Sequence, residues 1–250
     1  MKAMILAAGL GTRLRPLTDD RPKALVEIGG RTMLEFALMR LRDFGIHEVI
    51  INTHHFADMV EDYLRAHQNF GMQIEISYEE VLLDTGGGIK RAEHFFRGSD
   101  EPFLVHNVDV LSTIDFGYMV QFHMDRNALA TLAVQDRPTS RYLLFDENGE
   151  LCGRRAGLTG ESELVRSVSE PVALAFSGIH VLSPRIFSVL NEEGIFSIIP
   201  AYLRLAAQKE PLFAFRADRY YWRDLGRPEH ITEATRDLVL GRYDGRFRTN

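Results

Sequence analysis

The sequence predicts an α/β fold, a three-layer sandwich in which helices cover both faces of a mostly parallel, mixed sheet. Short β-rich runs and amphipathic stretches alternate regularly over residues 1–135. Such alternation produces right-handed β-α-β crossovers, which place helices on both faces of a sheet. The 250 residues are 45% hydrophobic and 26% charged, and this composition supplies enough apolar material for one large core.

The first half contains the clearest predicted elements. Strands are predicted from apolar or alternating β-rich runs, at residues 4–7, 48–52, 73–78, 102–110 and 128–134. Helices are predicted from apolar residues at helical spacing, at residues 32–45, 56–67, 87–96 and 116–127.

The second half is less regular. The predicted elements are a hairpin at 142–151, a polar loop or flap at 152–170, a strand at 173–182 interrupted by Ser177-Gly178, helices at 183–190, 197–207 and 228–240, and strands at 211–217 and 220–226. No internal repeat is present, and no hexapeptide β-helix pattern follows residue 240. We therefore expect one domain over residues 1–250.

Charge and composition exclude several classes of protein. The formal net charge of −6 disfavours a nucleic-acid or anionic-membrane binder, which needs a basic surplus. Cys152 is the single cysteine, so neither an internal disulfide nor a cysteine-based zinc site is possible. No apolar run approaches the roughly 18–20 residues of a membrane span, and the apolar run near Met1 is too short for the h-region of a signal peptide. We expect a soluble, cytoplasmic protein.

The loop after the first predicted strand combines glycines with cations. Gly9 and Gly11 let backbone N–H groups approach an anion, and Arg13 and Lys23 add positive charge. Ligands of open parallel sheets bind beyond the carboxyl ends of the strands, where this loop lies. The Rossmann G-x-G-x-x-G pattern fails at Leu14, and the Gly-Lys of a P-loop is absent from the chain.

The segment from Leu6 to Lys23 instead matches the pattern L-A-A-G-x-G-T-R-x-x-P-x-T-x-x-x-P-K at every fixed position. It resembles the signature of the sugar-1-phosphate nucleotidylyltransferases, and the resemblance is strongest over residues 1–110 and at the W-R-D-L-G of 222–226. This resemblance implies a Rossmann-like, glycosyltransferase-A-like sandwich with a small sugar-binding elaboration. Residues 1–135 would form the nucleotide-binding part and residues 136–250 the sugar-binding part of a single nucleotidyltransferase domain.

The resemblance also implies the reaction and its residues. A nucleoside triphosphate and a sugar 1-phosphate give a nucleotide sugar and pyrophosphate, by in-line attack on the α-phosphate. Arg13, Lys23 and Asp109 match catalytic positions. The implied nucleotide-binding residues are Leu6, Ala8, Gly9, Gly11, Thr12, Arg13, Lys23, Thr85, Gly86 and Gly87. For Thr85-Gly86-Gly87, a strand-to-helix turn without a ligand is the alternative.

A magnesium ion is the cofactor implied by the resemblance. Asp109 and Asp224 match the two metal aspartates of the family, and Mg²⁺ prefers hard oxygen ligands of this kind. Val108 departs from the glycine that usually precedes the first of them.

Sugar recognition departs further from the family pattern. Relatives place a Glu-Lys-Pro segment where this chain has Ser169-Glu170-Pro171, and this chain has no lysine between residues 91 and 208. An arginine must replace the missing lysine, and the candidates are Arg154, Arg155 and Arg166, of which Arg155 is favoured. The predicted sugar-binding residues are Asn107, Arg155, Glu170 and Gly178.

The substrates expected from the resemblance are UTP and N-acetylmuramate 1-phosphate or a similar cell-wall sugar, because the chain looks most similar to N-acetylmuramate 1-phosphate uridylyltransferases. A mannose- or heptose-1-phosphate guanylyltransferase using GTP is the alternative. A non-catalytic nucleotide or sugar-phosphate sensor is a hypothesis from another class. A glycosyltransferase would normally need Asp-x-Asp, but the sequence has Asp109-Val110-Leu111. We expect a monomer or small homo-oligomer.

Overall fold

A ten-stranded mixed sheet forms the centre of the molecule in this computed structural model, which describes residues 1–157 and 159–243. The strands are β1 (Lys2–Leu6), β2 (Glu27–Ile28), β3 (Arg31–Thr32), β4 (Glu48–Thr53), β5 (Gln73–Tyr78), β6 (Phe103–Asn107), β7 (Val110–Ser112), β8 (Ala130–Gln135), β9 (Arg141–Phe145), β10 (Leu151–Ala156), β11 (Ser162–Leu164), β12 (Val172–Leu182), β13 (Leu212–Arg216) and β14 (Trp222–Asp224). Two further two-stranded sheets pair β2 with β3 and β7 with β14.

Eight α-helices accompany these strands. They are α1 (Met33–Asp43), α2 (Ala57–Ala66), α3 (Asp84–Arg91), α4 (Glu93–Phe96), α5 (Phe116–Asp125), α6 (Ile186–Val189), α7 (Ile198–Ala207) and α8 (Pro228–Val239). Within the described residues, no helix combines the length and the apolar character that crossing a membrane requires. Residues 244–250 of the predicted domain lie outside the described residues.

The order of the strands brings the ends of six of them to one edge. The main path runs β11-β10-β9-β12-β6-β1-β4-β5, and β8 pairs with both β12 and β13. The pairs β4-β5, β1-β4, β1-β6 and β8-β13 are parallel. Because β12 is antiparallel to both β6 and β8, those two strands point the same way. The carboxyl ends of β1, β4, β5, β6, β8 and β13 therefore share one edge, where ligands of such sheets bind.

Apolar side chains on the two faces of the sheet form two cores. In β1, Ala3 and Ile5 pack into one cluster with residues of α1, α2, α5 and α8. Met4 between them packs into the other, with residues of α3, α4, α6 and α7. Alternate side chains of a strand point to opposite faces, so both faces are covered. The predicted α/β sandwich is confirmed.

Two predictions about the elements need correction. The expected loop or flap at 152–170 is partly strand: β10 pairs antiparallel with β11, and Arg154 Nε lies 2.6 Å from Glu163 Oε2. Gly153 permits this pairing, since a Cβ there would lie 2.4 Å from the Glu163 carbonyl oxygen. The strand expected at 102–110 ends at Asn107, and the chain turns before β7 begins.

The interruption predicted at Ser177-Gly178 is a bulge in β12. From Phe176 to His180, β12 advances four residues while β8 advances two, from Val134 to Leu132. Gly178 has a φ of +73°, and a Cβ there would lie 2.9 Å from Asn107 Nδ2. The bulge therefore needs glycine both for its backbone conformation and for its close approach to the end of β6.

Candidate functional site

The loop after β1 is held by the ends of the two neighbouring strands. The Ala7 N–H donates to Asn52 Oδ1 over 2.7 Å, and Asn52 Nδ2 donates to Glu79 Oε1 over 2.8 Å. Asn52 belongs to β4, and Glu79 follows β5 and is fully buried. Because these are buried hydrogen bonds in series, the start of the loop has a fixed position relative to the sheet.

The two glycines of this loop have different environments. Gly11 has a φ of +63°, and a Cβ there would lie 3.0 Å from Thr18 Cγ2 and 3.1 Å from Lys23 Cβ. Thr18 Oγ1 also donates to the Gly11 carbonyl over 2.9 Å. Gly9 has no described atom within 4 Å of an added Cβ. The fold therefore requires glycine at position 11, whereas Gly9 leaves space in front of the backbone for a ligand.

The remaining predicted residues of the loop surround these glycines. Leu6 ends β1, and its carbonyl accepts from the Val108 N–H over 3.1 Å. Ala8 is buried, whereas Thr12 and Arg13 are exposed on a short 3-10 turn, Thr12–Leu14.

Lys23 and Asp109 form an ion pair at the end of β6. The Lys23 ammonium donates to Asp109 Oδ2, and the two side chains are 14% and 13% exposed. Lys23 begins a second 3-10 turn, Lys23–Leu25, and Asp109 lies in the turn between β6 and β7. Two predicted catalytic residues that are distant in the sequence are thus in direct contact.

The strand β14 brings the second predicted metal carboxylate to the same place. Asp224 pairs with Val110, next to Asp109, and the Leu225 N–H donates to the Asp109 carbonyl over 2.8 Å. A Cβ on Gly226 would lie 2.7 Å from Arg13 Nη2 and 2.9 Å from Asp224 Oδ1. The groups predicted to bind phosphate and metal therefore meet at one edge of the sheet.

The donors present are chemically suited to magnesium. Mg²⁺ commonly binds one or two protein carboxylates and completes its shell with water and substrate phosphate oxygens. Asp109, in the turn before β7, and Asp224, on the paired strand β14, supply two such carboxylates. Among residues 1–157 and 159–243, no group of three or more His, Cys, Asp or Glu side chains could form a self-sufficient metal site. The residues fit a metal that is shared with a phosphorylated substrate.

Thr85, Gly86 and Gly87 lie in the first turn of α3 and contact the segment before α7. The Gly86 and Gly87 N–H groups donate to the Phe196 carbonyl over 2.9 and 3.2 Å. Thr85 Oγ1 accepts from the Ile198 N–H over 3.0 Å. These contacts give all three residues a structural role, and their part in nucleotide binding stays a prediction.

The predicted sugar-binding residues divide into two groups. Asn107 and Gly178 meet where the bulge of β12 touches the end of β6. Arg155 lies on β10, two strands from β12, where its Nε donates to the Gly157 carbonyl over 3.2 Å and its Cζ is 5.4 Å from the Tyr142 ring centroid. Glu170 is exposed just before β12.

The structure adds residues that the sequence analysis missed. Asn52 and Glu79 position the loop, and both are polar residues at the end of a β-rich run, which is a usable signal. Trp222 donates through Nε1 to the Ser177 carbonyl over 2.8 Å, next to Gly178. Arg137 lies over the Trp222 ring, 3.7 Å from its centroid. Nothing in the local sequence indicates that this arginine and tryptophan would stack.

Comparison with known proteins agrees with this geometry. A family model described as nucleotidyl transferase matches residues 2–239. The N-acetylmuramate alpha-1-phosphate uridylyltransferase of Caulobacter vibrioides is 36% identical over 213 residues, which are 82% of this chain and 84% of that protein. The mannose-1-phosphate guanyltransferase of Yarrowia lipolytica is 31% identical over 241 residues, which are 94% of this chain but 63% of that protein. This chain thus spans under two thirds of the Yarrowia protein.

Solved structures show the same fold. HddC from Yersinia pseudotuberculosis, crystallised in complex with GMP-PN, has a TM-score of 0.75 to this structure at 24% sequence identity. The match covers 95% of this chain and 99% of that chain. At this level of identity the likeness concerns the fold.

Proposed function

This chain belongs to the nucleotidyl transferase family, and we propose that it joins a nucleoside triphosphate to a sugar 1-phosphate, releasing pyrophosphate. The observation that carries the proposal is the meeting of Arg13, Lys23, Asp109 and Asp224 at the carboxyl edge of the sheet. The family and the relatives identify an enzyme of the sugar-1-phosphate nucleotidyltransferase type.

The reaction needs position and charge rather than an enzyme nucleophile. A phosphate oxygen of the sugar 1-phosphate attacks the α-phosphorus of the nucleotide in line, and pyrophosphate leaves from the opposite side. The backbone N–H groups around Gly9 and the Arg13 guanidinium would hold the triphosphate. The Lys23 ammonium would lie against the α-phosphate and stabilise the charge that develops there.

Asp109 and Asp224 would hold the magnesium ion. When bound, the ion would neutralise phosphate oxygens that otherwise repel one another. Lys23 beside Asp109 would help hold that carboxylate in place. Asp224 Oδ1 accepts from the Gly226 N–H over 3.0 Å, which fixes the second carboxylate in the same way.

For the substrates we propose UTP and N-acetylmuramate 1-phosphate or a closely similar sugar of cell-wall metabolism. The support is the 36% identity to the Caulobacter uridylyltransferase over most of both chains. GTP with mannose or heptose 1-phosphate is the second candidate, supported by the 31% identity to the Yarrowia guanyltransferase.

A pyrophosphate-release screen tests the proposal. The purified chain with Mg²⁺ is incubated with UTP, GTP, dTTP, CTP or ATP, each with and without N-acetylmuramate, glucose, mannose and heptose 1-phosphates. We expect pyrophosphate and nucleotide sugar in equal amounts, with UTP and N-acetylmuramate 1-phosphate as the best pair. Highest turnover with GTP would favour the second candidate. A protein that binds both ligands without releasing pyrophosphate would refute the enzymatic proposal.

A further inference from the structure

Arg137 leaves the sheet at the same edge as the candidate site. It follows β8 by two residues, and β8 points the same way as β6, whose end carries Asn107. Both strands flank β12, where the Ser177-Gly178 bulge lies. The sheet therefore delivers a cationic side chain to the side of the site where Asn107 and Gly178 meet.

The contacts of Arg137 fix the plane of its guanidinium group. Its Cζ lies 3.7 Å from the centroid of the Trp222 ring, a stacking distance. Its Nη2 donates to the Phe176 carbonyl over 2.8 Å, and its buried Nε has no hydrogen-bond partner among the described residues. One face and one terminal nitrogen are therefore used for positioning, and hydrogen-bonding capacity remains. An arginine held in this way is prepared for a ligand that accepts two hydrogen bonds.

The surroundings of Trp222 connect this arginine to the predicted metal carboxylate. Trp222 and Asp224 are two apart on β14, so their side chains leave the same face of that strand. Burial lowers the pKa of the Arg137 guanidinium, and the negative charge of Asp224 acts in the opposite direction. Arg137 thus lies within the electrostatic reach of the carboxylate that would share a metal with the reacting phosphates.

The other arginines considered for this part of the chain are already engaged. Arg154 pairs with Glu163 and Arg166 pairs with Glu150, so each lies beside a compensating carboxylate. Arg155 lies two strands away from the bulge, on β10. No lysine occurs between residues 91 and 208. A cation that neutralises a second phosphorylated substrate must therefore come from elsewhere.

We propose that Arg137, stacked on Trp222, binds the phosphate group of the sugar 1-phosphate and so determines the affinity for that substrate. The inference rests on the proposed function. The planar guanidinium can donate two parallel hydrogen bonds to one phosphate, which an ammonium group cannot do. Arg137 contacts the Phe176 carbonyl and the Trp222 ring beside the Ser177-Gly178 bulge, which meets Asn107. Arg13 and Lys23 belong instead to the segment after β1 that would hold the triphosphate. The two anionic substrates would thus be bound by separate cations.

The test separates the two substrates kinetically. Steady-state pyrophosphate release is measured for the parent protein, Arg137→Gln, Arg137→Lys and Arg155→Gln. Each substrate is varied in turn, and inorganic phosphate is added as a competitor against the sugar 1-phosphate. Arg126→Gln is the matched control, because Arg126 also lies over aromatic rings but is exposed. Its Cζ is 4.6 Å from the Phe122 ring centroid and 5.0 Å from that of Phe213.

We expect Arg137→Gln to raise the KM for the sugar 1-phosphate at least ten-fold while the KM for the nucleotide changes less than about two-fold. The inhibition constant of inorganic phosphate should rise in parallel, which a purely structural role of Arg137 would not cause. Arg137→Lys keeps the charge but loses the paired donors, so an intermediate increase is expected. It also provides the decisive measurement if Arg137→Gln does not fold.

Two results would overturn the inference. In one, the KM for the sugar 1-phosphate is unchanged in both Arg137 variants; in the other, the increase is confined to Arg155→Gln. Equal increases in the KM of both substrates would indicate a distorted site and would also count against it. All of these results require a parent protein that releases pyrophosphate. Absence of pyrophosphate with every substrate pair would refute the proposed function instead.

Discussion

The ion pair between Lys23 and Asp109 joins the segment after β1 to the end of β6. Both side chains are mostly shielded from water, so the attraction is stronger than that of an exposed pair. Removing one member of the pair would leave the other charge shielded from water without a partner, which would lower the free energy of unfolding. The pair therefore fixes the two side chains relative to each other, and on the proposed function the same ammonium would donate to a phosphate oxygen.

Replacing Lys23 by Met keeps the aliphatic length of the side chain and removes the charge. We expect kcat to fall by about 10²–10³-fold, the usual effect of losing one preorganised group that stabilises developing charge. Initial rates of pyrophosphate release at saturating substrates measure this effect. Lys209→Met, on an exposed lysine beyond α7, is the control. A kcat within two-fold of the parent value would exclude the catalytic role of Lys23.

The contrast between Gly9 and Gly11 also belongs to single residues. At Gly9 an added methyl group meets no described atom within 4 Å, and the backbone is not left-handed. Gly9→Ala should leave the free energy of unfolding within about 0.5 kcal/mol of the parent. It should raise the KM for the nucleotide about ten-fold, because the methyl group occupies the space in front of the backbone N–H groups.

Gly11→Ala should behave in the opposite way. Its φ of +63° and its close neighbours make alanine strained at this position. We expect a loss of about 1–2 kcal/mol in the free energy of unfolding, measured by urea denaturation. If Gly9→Ala destabilises the protein as much as Gly11→Ala does, the distinction between a structural and a binding glycine fails.

At the scale of elements, α3 shows how a glycine run can serve packing. Gly86 and Gly87 are buried against residues 194–198, and their N–H groups bind a carbonyl of that segment. A Cβ on Gly87 would lie 2.5 Å from the Gly194 carbonyl oxygen. Since that neighbour is backbone, α3 and the segment before α7 would have to separate. Gly86 and Gly87 therefore let α3 approach the segment before α7 at backbone distance, whereas Gly88 faces the side chains of Asn52 and Glu79.

Gly87→Ala should accordingly reduce the free energy of unfolding by about 1–3 kcal/mol, the range for overpacked sites. Gly117→Ala is the matched control within α5, because the nearest atom to its Cβ would be a side-chain oxygen of Asp115 at 3.3 Å. That variant should remain within about 1 kcal/mol of the parent. Urea denaturation of the three proteins checks both values. Equal stability of Gly87→Ala and the parent would show that α3 is not packed as described.

The elements also show where sequence reasoning succeeds and where it stops. The regular alternation up to residue 135 predicted β1, β4, β5, β6 and β8, since each buried strand leaves an apolar run. The hairpin β2-β3 was missed, although Gly29-Gly30, both with positive φ, is a recognisable two-residue turn. The strand β11 and most of β10 were interpreted as a loop because β11 and the last three residues of β10 are largely exposed and carry little hydrophobic signal.

The site was predictable where one continuous motif carries it. The loop from Leu6 to Lys23 follows from that motif, whereas Asp109 and Asp224 were identified only through the resemblance to the nucleotidylyltransferases. That Asp224 would lie beside Asp109 depends on the antiparallel pairing of β14 with β7. The stacking of Arg137 on Trp222 depends on the same pairing of β14 with β7. The sequence around either residue gives no sign that the two side chains would be in contact. Contacts between remote segments are decided by topology, which a local pattern does not encode.

Across the whole molecule, three buried histidines link folding to pH. Burial lowers the pKa of His106 and His123 to about 4 and that of His180 to about 3. The unfolded chain binds protons on these residues below its ordinary pKa of about 6.5, whereas the folded protein does not. Folding stability from this source is therefore complete above about pH 6.5. It is lost progressively as the pH falls toward the folded-state values of 3 to 4.

When the pH is lowered from 7 to 5, each of these histidines should lower the free energy of unfolding by at most about 2 kcal/mol. Urea denaturation at pH 7.5, 6.5, 5.5 and 5.0 measures the slope, in a range where most carboxylates remain ionised. His123→Asn should flatten the slope by about one third, since Asn can still reach Thr131, whose Oγ1 lies 3.0 Å from His123 Nδ1. His47→Asn, at an exposed position, should leave it unchanged. A free energy of unfolding that does not change over this pH range would contradict the conclusion that these histidines are neutral in the folded protein.

Arg13 lies next to the Asp224–Gly226 corner, although the two segments are far apart in the sequence. The candidate site is therefore complete only after both segments have been translated. Translation produces the loop with its arginine well before the strand that carries the second carboxylate. On the proposed function, a ribosome-bound chain that has not yet produced β14 holds Arg13, Lys23 and Asp109 but lacks Asp224, and would therefore have only one of the two metal carboxylates. We therefore expect partly synthesised copies without β14 not to consume nucleotide.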